Sequence, residues 1–258
     1  LLIVVWDFPT RAFHWLLVAT LFYSWFSVDV LEDMDQHFYA GYTALTLILF
    51  RIAWGVFGSY HSRFSNFPLS FSKIRQHFKS LLNPSLSDYL GHNPIGSVSA
   101  LLMLFLVFLQ ALSGLFSSDG YYVYGPLAEL AAGKWVSRIS DLHAFNVNLL
   151  FGFIALHIAA ILFYQLRKNQ NLSKPMLTGE KVLLHTQIDQ TEKGEVTGTT
   201  LLTMLKAAAI LFCLSSSQSL RREPSKTALL TLKFKFLGTL VLVSISNSNP
   251  ISGRSPFS

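Results

Sequence analysis

Two histidines within one apolar stretch carry the most specific chemical signal of this sequence. His143 and His157 stand fourteen residues apart in DLHAFNVNLLFGFIALHIAAILFYQL. In a helix that advances about 100° per residue, this spacing places the two side chains ~40° apart on one face and ~21 Å apart along the axis. This covers most of the ~30 Å hydrocarbon core of a bilayer, so each histidine is expected near one side of a membrane. Because a lone imidazole in lipid is costly, the pair predicts two partners, and haem iron can supply them.

The composition is that of a membrane protein. Of the 258 residues, 51% are hydrophobic and 13% are charged, against about 25% charged in ordinary soluble domains. The net charge of +6 needs no nucleic-acid partner, because the basic residues cluster in loops where membrane topology uses them. Cys213 is the only cysteine, which excludes an internal disulfide, a cysteine-based zinc site and a cysteine-ligated iron–sulfur cluster.

Four apolar segments are predicted to cross the membrane as helices. Their lengths, 17 to 25 residues, each fit one crossing. The predicted spans are residues 12–28, 37–57, 95–116 and 142–166. The predicted fold class is therefore an all-α membrane protein with a four-helix transmembrane bundle.

The chain changes character after residue 181. Residues 182–198 are polar and resemble a linker, and residues 199–217 form a possible fifth span that contains Lys206. Residues 218–258 are rich in Ser, Lys and Arg around a short apolar run, and they have no functional interpretation. We therefore predict a transmembrane domain over 1–181, followed by a linker, a possible fifth helix and an unassigned tail.

The charges of the loops predict the orientation. Basic residues lie before the first span, between the second and third, and after the fourth, whereas the loop between the first two spans has only acids. The basic residues are Arg11, Arg63, Lys73, Arg75, Lys79, Arg167, Lys168, Lys174 and Lys181; the acids are Asp29, Glu32, Asp33 and Asp35. By the positive-inside rule the N-terminus is cytoplasmic. We expect a multi-pass protein of the bacterial inner membrane.

This topology sorts four histidines into two pairs at matched depth. His14 and His157 are predicted on the inner side, and His37 and His143 on the outer side. Interfacial anchoring of helix ends is one alternative, and zinc or copper transport is another, although such sites usually add carboxylates or thiolates that the spans lack in mid-membrane. Two bis-histidine b haems fit better, and six-coordinate iron favours electron transfer. The haems would bind non-covalently, because no CxxCH motif is present.

Several further residues are candidates at the predicted cytoplasmic side. Arg11, Arg51 and Arg63 could bind the anionic haem propionates bidentately, or serve only as positive-inside anchors. A quinone site would need a donor and a proton acceptor beside an apolar slot. The candidates for it are Arg11, His92 and Asn93, and His92 is otherwise a loop or cap residue.

Simple structural explanations are available for two glycines and three histidines. Gly41 and Gly152 could leave room for porphyrin, but small residues at helix contacts explain them equally well. The histidines in polar segments are expected to be solvated; they are His61, His77 and His185.

Several motifs recur in order and carry a resemblance to a known family. They are WDFPTRAFHW, HFYAGYTALTLILFRIAWGVFGS with RFSNF, GHNPIGSVSALLMLFLVFLQALSGLF, LHAFNVNLLFGFIALHIAAILFY and LSKPMLTGEK. Together they resemble the bacterial cytochrome b561 family, in particular the cytochrome b subunit of nickel–iron hydrogenases and related di-haem quinone-linked cytochromes. The resemblance covers about residues 4–181. It implies a four- or five-helix protein with two haem b groups, whose ligands match His14, His37, His143 and His157.

The resemblance also implies a function. Such a protein carries electrons between the quinone pool and a periplasmic redox partner, a hydrogenase or a c-type cytochrome, as the electron-transfer subunit of an oxidoreductase complex. One alternative is a stand-alone superoxide:quinone oxidoreductase. Another is a haem-containing membrane anchor without catalysis of its own. The sequence does not identify the partner, the direction of electron flow or the quinone.

Overall fold

A computed structural model describes residues 2–80 and 93–182, together with residue 207. The described residues all belong to the compact unit Leu1–Ala207. The helices are α1 (Phe8–Asp29), α2 (Met34–Phe57), α3 (Phe71–Ser80), α4 (Pro94–Gly114), α5 (Gly133–Lys168) and α6 (Ser173–Thr178), and two short strands are β1 (Leu2–Val4) and β2 (Glu180–Val182). The predicted tail lies outside the described residues, as does the predicted fifth span apart from residue 207.

Short polar side chains begin three of the long helices. The carboxylates of Asp7 and Asp33 and the amide oxygen of Asn93 each accept a hydrogen bond from the backbone N–H three residues further on. Such N-caps satisfy an amide that the helix leaves unpaired, and each contributes about 1 kcal/mol. Pro9 and Pro94 occupy first-turn positions, where the missing N–H costs nothing. The starts of α1, α2 and α4 are thus encoded locally.

Three of the described helices are long and apolar enough to cross a membrane, namely α2, α4 and α5. Helix α1 has 22 residues but is not among the three, because Trp, Tyr, Ser and Thr side chains dilute its apolar character. The predicted all-α membrane class is confirmed, and the four-span bundle stays a prediction. Helix α5 begins at Gly133, nine residues before the predicted span, because the polar segment ahead of the span continues the same helix.

The long helices pack as a row and not as a closed bundle. Helix α1 packs on α2, α2 on α4, and α4 on α5, while α3 lies against α4. In the described part of the chain, neither α1 nor α2 has more than a marginal contact with α5. Of the three apolar helices, α5 also has the smallest buried share. The face of α5 toward α1 and α2 is therefore not filled by helix packing.

The segment after α5 returns to the start of the chain. Asn169 ends α5 in the left-handed conformation, with φ of 52°, and α6 and β2 follow. Strand β2 pairs antiparallel with β1, with Ile3 opposite Lys181. We call α6, Gly179, β2 and their hydrogen bonds to β1 and α1 the clasp. Through it, the end of α5 is connected to the beginning of α1.

Candidate functional site

Two histidines face each other between α2 and α5. The ring centroids of His37 and His143 are 6.3 Å apart, and their planes are nearly perpendicular, at 86°. His37 lies in the first turn of α2, and His143 lies three turns into α5. Helices α2 and α5 scarcely pack on one another. The two imidazoles therefore approach each other across a gap between these helices.

The tautomer of His37 is fixed by a backbone carbonyl of α1. Its Nδ1 lies 2.9 Å from the carbonyl oxygen of Ser24. Because a carbonyl only accepts, Nδ1 must carry the proton and donate it, and Nε2 keeps its lone pair. This is the usual state of a metal-binding histidine, whose distal N–H is held by a backbone oxygen or a carboxylate.

A polar network between α4 and α5 fixes the same tautomer for His143. The Asn146 amide donates to the Leu106 carbonyl at 3.0 Å and to Oε1 of Gln110 at 2.7 Å. The Nε2 of Gln110 then faces Nε2 of His143 at 3.0 Å and donates to it. The proton of His143 is therefore on Nδ1, which donates to Ser113 Oγ at 3.0 Å. Both outer histidines thus present Nε2 as the acceptor atom.

This network was missed by the sequence analysis, although a signal for it existed. Gln110 and Asn146 are amides inside long apolar helices, where a polar side chain is usually functional or hydrogen-bonded. Gly114 completes the arrangement, because a Cβ there would lie 3.0 Å from Cε1 of His143. The side-chain oxygen of Asn146, Oδ1, is buried and has no hydrogen-bond partner among the described residues.

The outer pair fits a metal held between two imidazoles. An imidazole nitrogen lies about 2 Å from a transition metal, and the ring centre lies about 1.1 Å behind that nitrogen, so two axial ligands have centroids about 6 Å apart. The observed 6.3 Å between the ring centroids is similar to this spacing, in an edge-on arrangement in which Nε2 of His143 is hydrogen-bonded to Gln110. Within the described ranges, no group of three or more His, Cys, Asp or Glu side chains could hold a metal.

The inner histidines are also brought toward each other. A charge on His157 would repel one on His14, so these side chains of α5 and α1 lie within electrostatic range of each other, although the two helices hardly pack together. The Nδ1 of His14 is buried and has no hydrogen-bond partner in the described part of the chain. Trp15 meets the His14 ring edge-on, with centroids 5.0 Å apart. A buried imidazole nitrogen without a partner is costly unless a ligand occupies it.

The three predicted propionate anchors differ in their surroundings. Arg51 on α2 is only 4% exposed and stacks over Phe64 at 4.7 Å, and its Nη1 has no partner among the described residues. Arg11 donates to the Leu177 carbonyl and leaves its buried Nε unpaired within the same residues. Arg63 donates to a backbone carbonyl in its own loop. Unpaired buried guanidinium N–H groups fit an anion such as a carboxylate.

The counter-charge for Arg51 comes from a residue that the sequence analysis did not single out. Asp7 is 2% exposed and interacts electrostatically with Arg51. Besides capping α1, its carboxylate accepts hydrogen bonds from Trp54, Ser59 and Ser62. This joins the start of α1 to the end of α2. An Asp directly before a Phe-Pro helix start was a recognisable cap signal, but its tertiary partners were not.

The prediction of a solvated His77 is wrong. Its side chain is 4% exposed, and its Nε2 lies 2.9 Å from the hydroxyl of Tyr164. Burial lowers the pKa of His77, and the nearby charge of Lys168 lowers it further. The pKa of His61 is also lowered by burial, with Asp7 opposing the shift. The reason in both cases is tertiary packing of a loop that is polar by composition.

The remaining candidates at the predicted cytoplasmic side are only partly described. His92 and His185 lie outside the described residues. Asn93, a proposed quinone contact, caps α4 and donates to the hydroxyl of Tyr164 at 3.3 Å. A Cβ on Gly41 or Gly152 would meet nothing within 4 Å, so open space lies beside both, as porphyrin would need.

The opposite end of the helices carries several acids. Asp33 caps α2, and Glu32 adopts a left-handed φ of 53°. In the loop that follows α4, Asp119 accepts backbone N–H bonds from residues 121–123. These hydrogen bonds lower the pKa of its carboxyl. Asp119 lines an open cavity of about 560 Å³ together with Glu129 and Asp141. This end of the protein is thus acidic.

These features define an all-α membrane protein whose facing histidines are suited to hold haem. The family model for prokaryotic cytochrome b561 matches residues 5–179. The chain therefore belongs to the prokaryotic cytochrome b561 family, a family of membrane b-type cytochromes that bind haem b and act in electron transfer. No match was found among curated proteins or among solved structures.

Proposed function

We propose that this chain is a di-haem b-type cytochrome that carries electrons across the bacterial inner membrane. It would connect a periplasmic redox partner, a hydrogenase or a c-type cytochrome, with the quinone pool. The observation that carries the proposal is the outer pair. His37 and His143 face each other at 6.3 Å, and each has its Nδ1 proton held by a neighbour, while Nε2 of His143 accepts a hydrogen bond from Gln110.

The outer ligands come from helices that other contacts hold in place. Ser24 on α1 orients His37, and Ser113 and Gln110 on α4 orient His143. A haem iron held by these two imidazoles would supply one-electron chemistry, and the two histidines would leave no position for oxygen or substrate. The protein's task at this site is to hold both rings at the right separation and to exclude water.

The inner site is proposed on His14 and His157. Among the described residues, Nδ1 of His14, Nε of Arg11 and Nη1 of Arg51 have no hydrogen-bond partner, and all three are at this end of the helices. The imidazoles would be axial ligands, and the guanidinium groups would bind the carboxylate side chains of the porphyrin. Asp7, already saturated by four donors, limits the cost of keeping Arg51 buried and charged.

One continuous helix connects the two proposed sites. His143 and His157 both lie on α5, which runs without a break over Gly133–Lys168. Their spacing of fourteen residues corresponds to ~21 Å along the axis. Because both ligands share one rigid element, the separation of the two sites is set by helix geometry and changes little when loops move.

The orientation and the partner rest on the distribution of charge. Basic loops support a cytoplasmic N-terminus and a cytoplasmic α3 by the positive-inside rule. The acidic end with Asp33, Asp119 and Glu129 would then face the periplasm, beside the outer pair. An acidic surface there suits a basic redox partner, since complementary charge speeds encounter. The quinone would exchange electrons at the inner site.

Spectroscopy of the purified protein tests this proposal. A pyridine haemochrome assay should give two haem b groups per chain, and a redox titration should resolve two low-spin components. One haem or none per chain would overturn the di-haem proposal. Two haems that neither a quinol nor a periplasmic cytochrome c reduces would instead favour a haem-containing membrane anchor.

A further inference from the structure

The clasp connects the helix that carries His14 with the end of the helix that carries His157. His14 is on α1 and His157 is on α5, and these helices have at most a marginal contact in the described part of the chain. Among the described residues, packing between the long helices otherwise joins α1 to α5 only indirectly, through α2 and α4. The direct link between α1 and the end of α5 is the clasp, which follows α5 after Asn169.

The hydrogen bonds of the clasp fall on both sides of His14. Arg11, one turn before it, donates to the carbonyl of Leu177, and Trp15, the next residue, donates to the carbonyl of Met176 at 3.1 Å. The Trp15 ring also touches the His14 ring edge-on. Thus the same two side chains that flank the imidazole are those that attach α1 to α6.

Gly179 makes the backbone hydrogen bonds that attach the clasp to the residues just before α1. Its carbonyl accepts the backbone N–H groups of Val5 and Trp6 at 2.8 and 3.2 Å. Its φ is +88°, and a Cβ there would lie 2.9 Å from the Trp6 carbonyl oxygen and 3.3 Å from the Arg11 guanidinium. A side chain at this position would therefore both strain the backbone and displace the residues that hold α1.

We propose that the clasp positions His14 against His157, and that Arg11, Trp15 and Gly179 are positioning residues for the inner pair. The role assigned to haem rests on the proposed function. The positioning itself concerns the distance between α1 and α5 and can be measured without haem. The outer pair is held by contacts that do not involve the clasp. Ser24 on α1 holds His37, and Gln110 and Ser113 on α4 hold His143.

The test compares two glycines that both have positive φ. Gly179→Val opens the clasp, whereas Gly120→Val strains an outer loop where φ is +81° and a Cβ meets nothing within 4 Å. The second variant is the matched control, because it reproduces the cost of positive φ without touching α1. Spin labels at Leu16→Cys on α1 and Leu162→Cys on α5, which are 55% and 50% exposed, report the helix separation, with Cys213 replaced by Ser.

We expect a narrow distance distribution between the labels in the parent protein and in Gly120→Val, and a broadened or shifted one in Gly179→Val. Equal distributions in all three proteins would overturn the inference, whatever the haem content. In haem-loaded protein, Gly179→Val should weaken retention of one haem by roughly 10-fold, as loss of a supporting contact does, and shift its midpoint potential. That haem must be the one that His157→Ala removes; loss of the other haem, or of both equally, would also overturn the inference.

The same experiments separate failure of this inference from failure of the proposed function. If the parent protein binds two haems and His157→Ala removes one, the proposed function stands, and only the response of Gly179→Val decides the role of the clasp. If the parent binds no haem, the proposed function fails, and the distance distributions still decide whether the clasp positions α1 against α5.

Discussion

The side-chain amide of Gln110 donates a 3.0 Å hydrogen bond to Nε2 of His143. The donor atom is determined by Asn146, whose own amide group is anchored on a backbone carbonyl and offers its second N–H to the Gln110 oxygen. Gln110 therefore contacts the atom of His143 that we propose as an iron ligand. Haem bound at this atom would therefore require Gln110 to give up the hydrogen bond.

The first prediction concerns the support of His143. Ser113→Ala removes the acceptor of the His143 Nδ1 proton, so the ring loses its fixed tautomer and orientation. Affinity for the outer haem should fall roughly 10-fold, with a shift of its midpoint potential and none at the inner haem. Ser99→Ala, on the same helix but hydrogen-bonded to neither histidine, is the control. Equal redox titrations of both variants would contradict this role of Ser113.

The second prediction concerns the pairing of the ligands. His157→Ala should remove only the inner haem and His143→Ala only the outer one, since each leaves the other pair intact. His14→Ala should reproduce the spectrum of His157→Ala, because both side chains are proposed to hold the same haem. Visible and EPR spectra of the three variants make the comparison. If His14→Ala removed the haem that His143→Ala also removes, the pairing would be wrong.

The third prediction concerns the buried carboxylate at the start of α1. Asp7→Ala deletes an N-cap, three side-chain hydrogen bonds and the counter-charge of Arg51. The free energy of unfolding should fall by about 3 kcal/mol. Asp33→Ala, which removes a helix cap on α2, should cost about 1 kcal/mol. Thermal unfolding in detergent measures both, and a smaller loss for Asp7→Ala than for Asp33→Ala would refute the network.

The fourth prediction concerns pH. Burial, assisted by Lys168, holds the pKa of His77 below its ordinary value of 6.5. The unfolded chain therefore binds a proton near pH 6.5 that the folded protein takes up only at lower pH. The stabilisation from neutral His77 is complete above pH 6.5 and is lost as the pH falls toward the folded pKa. His77→Gln should flatten this part of the stability profile, as measured by thermal unfolding across the pH range; an unchanged slope would contradict it.

The fifth prediction concerns docking at the acidic end. Glu32→Gln, Asp33→Asn and Asp35→Asn together should slow electron exchange with a basic partner by about 10-fold at low salt, because the attraction that speeds encounter is reduced. Asn is also a good N-cap, so α2 should stay intact, and haem content should not change. The variant and the parent should converge at high salt. Equal rates at every salt concentration would leave these acids without a role in docking.

Residue type and spacing are sufficient to predict much of the fold and part of the candidate site. The all-α membrane class follows from long apolar stretches, and the starts of α1, α2 and α4 follow from Asp7, Asp33 and Asn93, because these signals are local. The placement of His143 and His157 on one face follows from the helical period alone. The family assignment also came from the sequence, since motifs from residue 4 to 181 recur in order, and the family match over residues 5–179 confirms it.

Tertiary structure decided what surrounds those residues. Ser24, Gln110 and Ser113 fix the protons of His37 and His143 from other helices, and no spacing within one helix predicts a contact between helices. His77 is buried because α3 packs against α4 and the imidazole reaches the Tyr164 hydroxyl, although its segment is polar by composition. The sequence did not predict the clasp either. Its hydrogen bonds join residues more than 160 positions apart in the chain, as between Trp15 and Met176. Periodicity determines which face a side chain occupies, but only packing determines what that face meets.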